Sequence, residues 1–558
     1  MQRTLPTIAL FLLLLAGCGG GGGGGSTGGA VNDPATPVPG ETTPEVLELI
    51  DSLPSNGSSP AFVTGVSISH AGQSDATYSV DLSCNDRLVV TERRSVADLS
   101  IDTVDQIASH KITCPEGLTD NASLQVVVTA RRENDATSEA ALNVDVTSDE
   151  PRLSVIEEKR NPRHIVEDMF ESYIEGALIG ELDLPTLVEN VLLILIVDLA
   201  GSEWRHLANP EVVHDVMVRK LEYSSIAPDG SVDHGLSGLV AYPVIDNNFE
   251  TRQQIILLNH ATGSTPSGLN EADAWYILAN LLAGHGYLVI APDNYGRGST
   301  EAEPETYLMA NRTARNAVDL VRRIVDSGDY TDVHAATTPL PISVIGYSQG
   351  GHSAIASWVE ISESHSAVLK PNTVHVGGAP LHLYRTFRGV LQTVAGQCTG
   401  DGYCSLVDVD VQVPFATDRI LPGLLAYTDP GVAVEELVVD GNLDPAFSSG
   451  FLAENAVYDA LKSLLLLNSF PNIVNPQEVF NDSDVTLHLY HSQFDRLVPV
   501  NNTIEFYDTV QQSVNTILHE NQCNADGFEL IFDTVDSVGV VHTLCGLNVL
   551  DDVFDQLR

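Results

Sequence analysis

An apolar run that turns straight into a glycine-flanked serine leaves a chain few ways to fold. Here Ile342-Ser343-Val344-Ile345 reads as a strand, Gly346-Tyr347-Ser348-Gln349-Gly350 follows with no spacer, and a helix opens at Ser353-Ala354-Ile355-Ala356. Strand, Gly-x-Ser-x-Gly and helix in that order make a sharp turn that presents the serine at its apex. The glycines stand two residues to either side because the strand and helix backbones pass too closely there to admit a Cβ atom. Ser348 is therefore expected at the carboxyl edge of a sheet, at the positive end of a helix, and it is the candidate nucleophile.

The surrounding chain supplies such a sheet. From Val212 onward apolar strands alternate with helical stretches: Gly238 to Pro243, Ile255 to Asn259, Ala274 to His285, Tyr287 to Ala291, Thr313 to Val325 and Ser353 to Ile361. That alternation predicts a mostly parallel α/β sheet. Residues 151–200 read as helical, with Val166, Met169, Phe170, Tyr173 and Ile174 at helical intervals and a second apolar run at Val191 to Val197, too short to span a membrane. About 105 residues separate Ala379 from Asp484, far more than one strand-to-strand crossover needs. They predict a mainly helical cap, about 380–484. Its Leu421 to Leu425, Phe447 to Leu452 and Leu461 to Leu467 either line an acyl pocket or form the core of the cap. Asp440-x-Asn442-x-Asp444 looks like the start of a calcium loop, but Pro445 stands where that loop needs Gly and Phe451 where it needs Glu, so it reads as a turn. No metal site and no cofactor are expected.

A serine hydroxyl needs a base to take its proton, and the base needs a carboxylate to fix its tautomer. Behind this kind of turn they follow in the order serine, acid, histidine. Val485 to Tyr490 is an apolar strand and Asp495 lies on the loop after it, whereas Asp484 precedes the strand and belongs at the opposite edge. Glu529 to Phe532 reads as a last strand, with His542 on the following loop ahead of a helix from Leu547. Asp495 and His542 are thus the candidate acid and base. His519, before that last strand and on a predicted helix, reads as a structural imidazole. The oxyanion formed on acyl attack needs two backbone donors. One is the N–H of Gln349, and the other comes from the loop Asn259-His260-Ala261-Thr262-Gly263-Ser264.

The first 150 residues have another character. Arg3, the apolar run Ile8 to Leu15 and Leu15-Ala16-Gly17-Cys18 read as an export signal over residues 1–17. Small residues before a cysteine resemble a bacterial lipobox, which implies cleavage before Cys18 and its lipidation. Gly19 to Gly25 and the Gly, Ser, Thr and Pro that follow read as a flexible tether over 18–60, reaching about 35 Å as a random coil. Residues 61–150 read as short strands, with Leu124, Val126, Val128 and Ala130 on one face and Leu142, Val144 and Val146 repeating the pattern. A small all-β sandwich of this size resembles bacterial immunoglobulin-like modules in architecture alone. Setting Cys18 aside, the cysteines fall into local couples, Cys84 with Cys114, Cys398 with Cys404 and Cys523 with Cys545, as three disulfides would in an exported chain. With 27 Lys and Arg against 75 Asp and Glu, the net charge of −48 excludes a nucleic-acid binder that works through a basic footprint.

Taken together, these residues resemble the α/β-hydrolase superfamily and, within it, bacterial secretory lipases and esterases with a Gly-Tyr-Ser-Gln-Gly-Gly elbow. The oxyanion loop, Gly286 to Gly298, and Tyr307-Leu308 before the helix carrying Arg315 and Asp319 fit the same group. The resemblance implies an α/β-hydrolase fold over 151–558 with the cap inserted, and by position it makes Thr262 the second oxyanion donor. Ala261 replaces the glycine usual in that loop, and Glu305-Thr306 replaces the usual His-Pro. The implied activity is hydrolysis of a small-molecule or lipid carboxylic ester by an exported protein held to the membrane of the bacterial cell envelope by its lipid anchor. A serine peptidase of the same fold shares the triad, and a surface-binding protein with a relic triad is the alternative outside catalysis. Replacing Cys18 with Ala should move the protein from the detergent phase to the aqueous phase on partitioning; identical partitioning of the two forms would remove the lipid anchor.

Overall fold

The computed structural model describes residues 152–179, 212–228, 232–245, 251–400, 402–404, 409–428, 431–473, 484–519 and 538–557, together with strands between 47 and 145. Those strands pair antiparallel. Ala76–Cys84 lies between Arg87–Ser95 and Ser123–Arg132, and Thr137–Asp145 adds to the latter. A three-stranded sheet joins Leu47–Ile50, Gly65–Ile68 and Asp105–Gln106. Leu47–Ile50 falls inside the segment expected as a tether, which is therefore shorter than 18–60. Four residues, Leu-Glu-Leu-Ile, give enough β-forming apolar chain to pair along Gly65–Ile68.

The large sheet has nine strands: β1 Leu153–Asn161, β2 Val216–Ile226, β3 Val232–Pro243, β4 Ile255–Asn259, β5 Leu288–Pro292, β6 Leu340–Tyr347, β7 Leu369–Gly377, β8 Thr486–Tyr490 and β9 Asn515–His519. Their order is β1-β2-β3-β5-β4-β6-β7-β8-β9. The first three pair antiparallel and β3 meets β5 antiparallel, after which every pair is parallel. The parallel strands are covered on both faces, and every residue of β4 and of β5 is buried.

Two helical layers do the covering. Helix α1 (Arg163–Ile179), α2 (Ala274–Gly284) and, later in the chain, Val538–Leu557 share a core with Ile256, Leu258, Val289, Ala291 and Tyr347. On the other face α3 (Ala310–Ser327) and α4 (Gln349–Glu360) pack with Ile255, Leu257, Ile290 and Val344. The alternation of Ile255 and Ile256 between these two clusters is the period-two geometry of a strand. Strand β1 departs from the helical reading of 151–200. Its Val155 and Ile156 are exposed and its charges pair across to β2, as Glu158 does with Arg219 at 2.6 Å, so edge pairing overrides the weak apolar pattern. Val191 to Val197 lies outside the described residues.

The segment between β7 and β8 is helical, with α5 Leu383–Val394, α6 Val409–Phe415, α7 Leu421–Ala426, α8 Pro445–Leu452 and α9 Asp459–Leu467. Leu421, Leu424, Phe447, Phe451, Leu461 and Leu465 are buried in a cluster of their own with Tyr307, Leu308 and Met309, so these side chains form the core of the cap. Asp440 and Gly441 turn a short hairpin at positive φ, and Asp444 caps α8 by accepting from Ala446 and Phe447 N–H at 2.7 and 2.9 Å. Two further helices follow β8, α10 Asn501–Val510 and α11 Val538–Leu557.

Helices α3 and α4 are joined by a buried charge cluster. Arg315 Nε donates to Asp319 at 3.2 Å and its Nη1 to Glu360 of α4 at 3.3 Å, while Asp319 also accepts from Ser225 of β2 at 2.8 Å. Burial opposes ionisation of Glu360, yet hydrogen bonding from His365 and the charge of Arg315 hold its carboxyl below the usual range. Arg315→Met strands two carboxylates in the core and should lower the unfolding free energy by about 3–5 kcal/mol, read from the urea midpoint; a change below about 1 kcal/mol would make the cluster no stronger than a surface pair.

Candidate active site

Ser348 occupies the junction of β6 and α4 with φ 56° and ψ −124°, on the side of the backbone map that L residues avoid. Such a conformation costs about 1–3 kcal/mol and persists only where its surroundings fix it. Here Ser348 N–H donates to Gly377 O at 2.8 Å and Ser348 O accepts from Gly351 N–H at 3.0 Å. A Cβ on Gly346 would stand 2.0 Å from Gly350 O, and one on Gly350 would stand 2.1 Å from Asn259 O and 2.7 Å from His260 O. The glycines thus let the start of α4 press against the loop after β4, the loop that carries Thr262.

Gln349 and Thr262, expected from the sequence as oxyanion donors, lie within two residues of that contact along the chain. Gln349 is the first residue of α4, where an N–H has no acceptor within its own helix. Its side-chain Nε2 donates to Glu305 at 2.7 Å, and Thr262 Oγ1 lies 2.9 Å from Tyr307 Oη. The segment 305–307 therefore supports both residues. Glu305 is held in turn by Arg419 of the cap at 3.6 Å and Arg297 at 4.0 Å, with its side chain only 7% exposed. Sequence reasoning gave Glu305 no role; its departure from the usual His-Pro was the available signal. Tyr307 is buried, which pushes its hydroxyl above the usual phenol range and keeps it protonated.

Asp495 and His542 meet as expected from the sequence. His542 Nδ1 is 2.6 Å from Asp495 Oδ2, and Asp495 is fully buried. The other carboxylate oxygen accepts from Leu497 and Val498 N–H at 2.8 and 2.9 Å. His491 adds a second imidazole, with Nε2 3.4 Å from Asp495 Oδ2 and Nδ1 2.7 Å from Thr503 Oγ1. Burial alone would raise this carboxyl, but the positive charge available on His542 and the hydrogen bonds from both imidazoles hold it well below the usual carboxylate range. An ionised Asp495 fixes the proton of His542 on Nδ1, and Nε2 of His542 is buried with no hydrogen-bond partner among the described residues, Ser348 included.

The candidate base sits on a different element than expected. His542 lies within α11, which starts at Val538 and not at Leu547, because Val541, Cys545, Leu547 and Leu550 continue the buried side of the helix backward. Tyr347 of the elbow donates its hydroxyl to His542 O and packs its ring 5.0 Å from the imidazole. A Cβ on Gly378 would stand 2.9 Å from His542 Cε1, so the imidazole is confined from that side too.

The remaining candidates fall into place around this site. His352, on α4, donates through Nε2 to Asn468 O at 3.0 Å, and burial pushes it down to about 4, so it stays a neutral structural group. Asp484 pairs with Lys370 at 2.8 Å at the opposite end of β8 from Asp495. His519 is on β9, not on a helix, and Glu529 to Phe532 lies outside the described residues. Cys398 and Cys404 form a disulfide. Cys545 is also disulfide-bonded, while Cys523, Cys114 and Cys18 lie outside the described residues.

A family model described as "Alpha/beta hydrolase family" matches residues 255–506. No curated protein matches the chain. Among solved structures, a candidate hydrolase from Legionella pneumophila shares 18% identity over 73% of this chain and 97% of its own, with a TM-score of 0.48. The rice cell wall degrading esterase LipA from Xanthomonas oryzae, in a ligand-bound form, shares 16% over 72% and 97%, with a TM-score of 0.47. Candida antarctica lipase A in its closed state shares 11% over 65% and 75%, with a TM-score of 0.36. With the strand order, the serine at the turn after β6 and the family match over residues 255–506 in agreement, the chain has the α/β-hydrolase fold.

Proposed function

We propose that this hydrolase cleaves carboxylic esters, as a lipase or esterase, through an acyl-enzyme on Ser348. The observation that carries the reading is His542, clamped through Nδ1 to an ionised, fully buried Asp495 while its Nε2 has no partner among the described residues. His542 Nε2 takes the Ser348 proton as Oγ attacks the ester carbonyl carbon, and Asp495 stabilises the imidazolium that results. Negative charge moves to the carbonyl oxygen, where the N–H groups of Gln349 and Thr262 receive it. Collapse breaks the ester C–O bond, and the alcohol leaves with the proton from Nε2. Water then gives its proton to the same nitrogen, attacks the acyl carbon, and releases the acid and free Ser348.

The export signal and Cys18 support the further reading that the protein works from the cell envelope, tethered to a membrane through a lipid. Its ester substrate is then met outside the cytoplasm. The acyl and alcohol groups it prefers are set by the cap.

A fluorophosphonate probe should label Ser348, and Ser348→Ala should abolish labelling and lower ester turnover by several orders of magnitude at an unchanged melting temperature. Parallel ester and amide substrates bearing one acyl group separate esterase from peptidase. A variant that retains more than about a tenth of the turnover removes Ser348 as the nucleophile. Asp495→Asn should lower turnover by about 10⁴, as the equivalent change does in a serine protease triad. It should also change the acid limb of stability. The folded carboxyl titrates below the unfolded value of about 3.9, so its contribution is present above that pH and disappears as pH falls through the folded value. Wild type should exceed the Asn variant in stability at neutral pH, and the gap should narrow below about pH 4; a gap that is constant with pH would show that the carboxylate is not held ionised.

A further inference from the structure

Away from Ser348, one face of the sheet gathers imidazoles. His375 of β7 stands in register with His488 of β8, and Tyr490, two residues on, stands in register with His519 of β9. Residues two apart on a strand share a face, so all four side chains lie on the same side of the sheet. The rings of His375 and His488 stack at 4.6 Å and 9°, and those of Tyr490 and His519 at 4.2 Å and 10°.

The stack ends in a set of converging donors. His488 Nδ1 is 3.0 Å from His519 Nε2, and Asp552 of α11 places Oδ2 3.8 Å from the same His519 nitrogen. One ligand atom from each of the three lies within 4.8 Å of the other two. A tetrahedral ion with bonds of about 2.0–2.2 Å keeps its ligand atoms about 3.3 Å apart, between the two measured separations. His519 and Asp552 side chains are 11% and 13% exposed, so the cluster is enclosed without being sealed.

Outer partners already hold these groups. Tyr490 donates its hydroxyl to Asp552 Oδ2, Gln556 Nε2 donates to the same oxygen at 2.5 Å, and His375 Nδ1 lies 3.2 Å from Tyr490 Oη. Hydrogen bonds of this kind orient ligating carboxylates and imidazoles. We propose that His488, His519 and Asp552 bind one divalent transition-metal ion of the Zn²⁺ type, with water completing its shell. Two imidazoles and one carboxylate suit that class of ion better than Ca²⁺ or Mg²⁺, which take oxygen ligands.

The ion would clamp α11 onto β8 and β9. Asp552 lies ten residues beyond His542 on α11, about 15 Å along the helix axis, so the site is separate from the reacting atoms and its role is to hold the helix that carries His542. It stands independently of the esterase reading, because binding is measured without substrate. No run of neighbouring residues announces it, since its ligands come from two strands and a helix.

Chelator-treated full-length protein titrated with Zn²⁺ alone, followed by calorimetry, should take up one equivalent and melt at a higher temperature. His519→Ala and Asp552→Asn should each weaken binding by at least about a hundredfold, and Tyr490→Phe, which removes only an outer partner, by about tenfold. X-ray absorption at the zinc edge of the loaded wild type should show two imidazole nitrogens and no sulfur, a readout that needs no variant to fold. No stoichiometric uptake by the wild type, a shell without imidazole, or uptake unchanged in both His519→Ala and Asp552→Asn would overturn the site and leave the imidazoles as a hydrogen-bonded pair.

Discussion

The candidate site depends on how closely three backbones can pass at one point. β6 ends, α4 begins and the loop after β4 crosses them, with Asn259 O occupying the space a Cβ on Gly350 would need. This crowding forces Ser348 into its strained conformation and, in the same step, packs the loop after β4 against the start of α4. Nothing softer could do both. A side chain at Gly346 or Gly350 would push the helix outward and separate the groups that have to converge. The strain at Ser348 is offset by the two buried layers around the sheet, since a conformation costing a few kcal/mol survives only inside a well-packed core.

Electrostatics then finish what packing begins. Asp495 is a buried carboxylate whose oxygens face donors among the described residues: two backbone N–H groups and two imidazoles. A buried charge without such partners would shift to its neutral form. Here the partners win against burial, and the consequence is a fixed tautomer on His542. Tyr347 and Gly378 restrain the same imidazole from the sides. Position and proton are thus set by different groups.

Much of this was legible in the sequence because it is local. The elbow needs only a strand, five residues and a helix in succession, and Asp495 needs only to follow an apolar strand. Legibility fell where pairing across the sheet decided the outcome. The charged run Glu157 to Arg160 carries no alternation that marks it as a strand, yet opposite β2 it becomes one. Val538 to Val541, rich in β-branched residues, reads as a loop ahead of a helix because such residues are poor helix formers, yet it forms the first turn of α11. Glu305 stands out in the sequence only as a departure from the usual His-Pro, and the His488, His519 and Asp552 cluster not at all, since each owes its surroundings to segments far away along the chain.

The contacts of the cap give segment 304–307 a second meaning. Tyr427 donates to Pro304 O at 2.6 Å, Arg419 reaches Glu305, and Gly423 lies so near Glu305 O and Tyr307 N that a Cβ would stand 2.9 and 3.1 Å from them. The same short segment steadies Gln349 and Thr262 from beneath. Cap and elbow are therefore two ends of one lever. Anything bulky enough to lift the cap also slackens the segment that holds Gln349 and Thr262. Under the ester hydrolysis proposed above, size discrimination in such an arrangement would fall on the rate of bond cleavage as well as on occupancy.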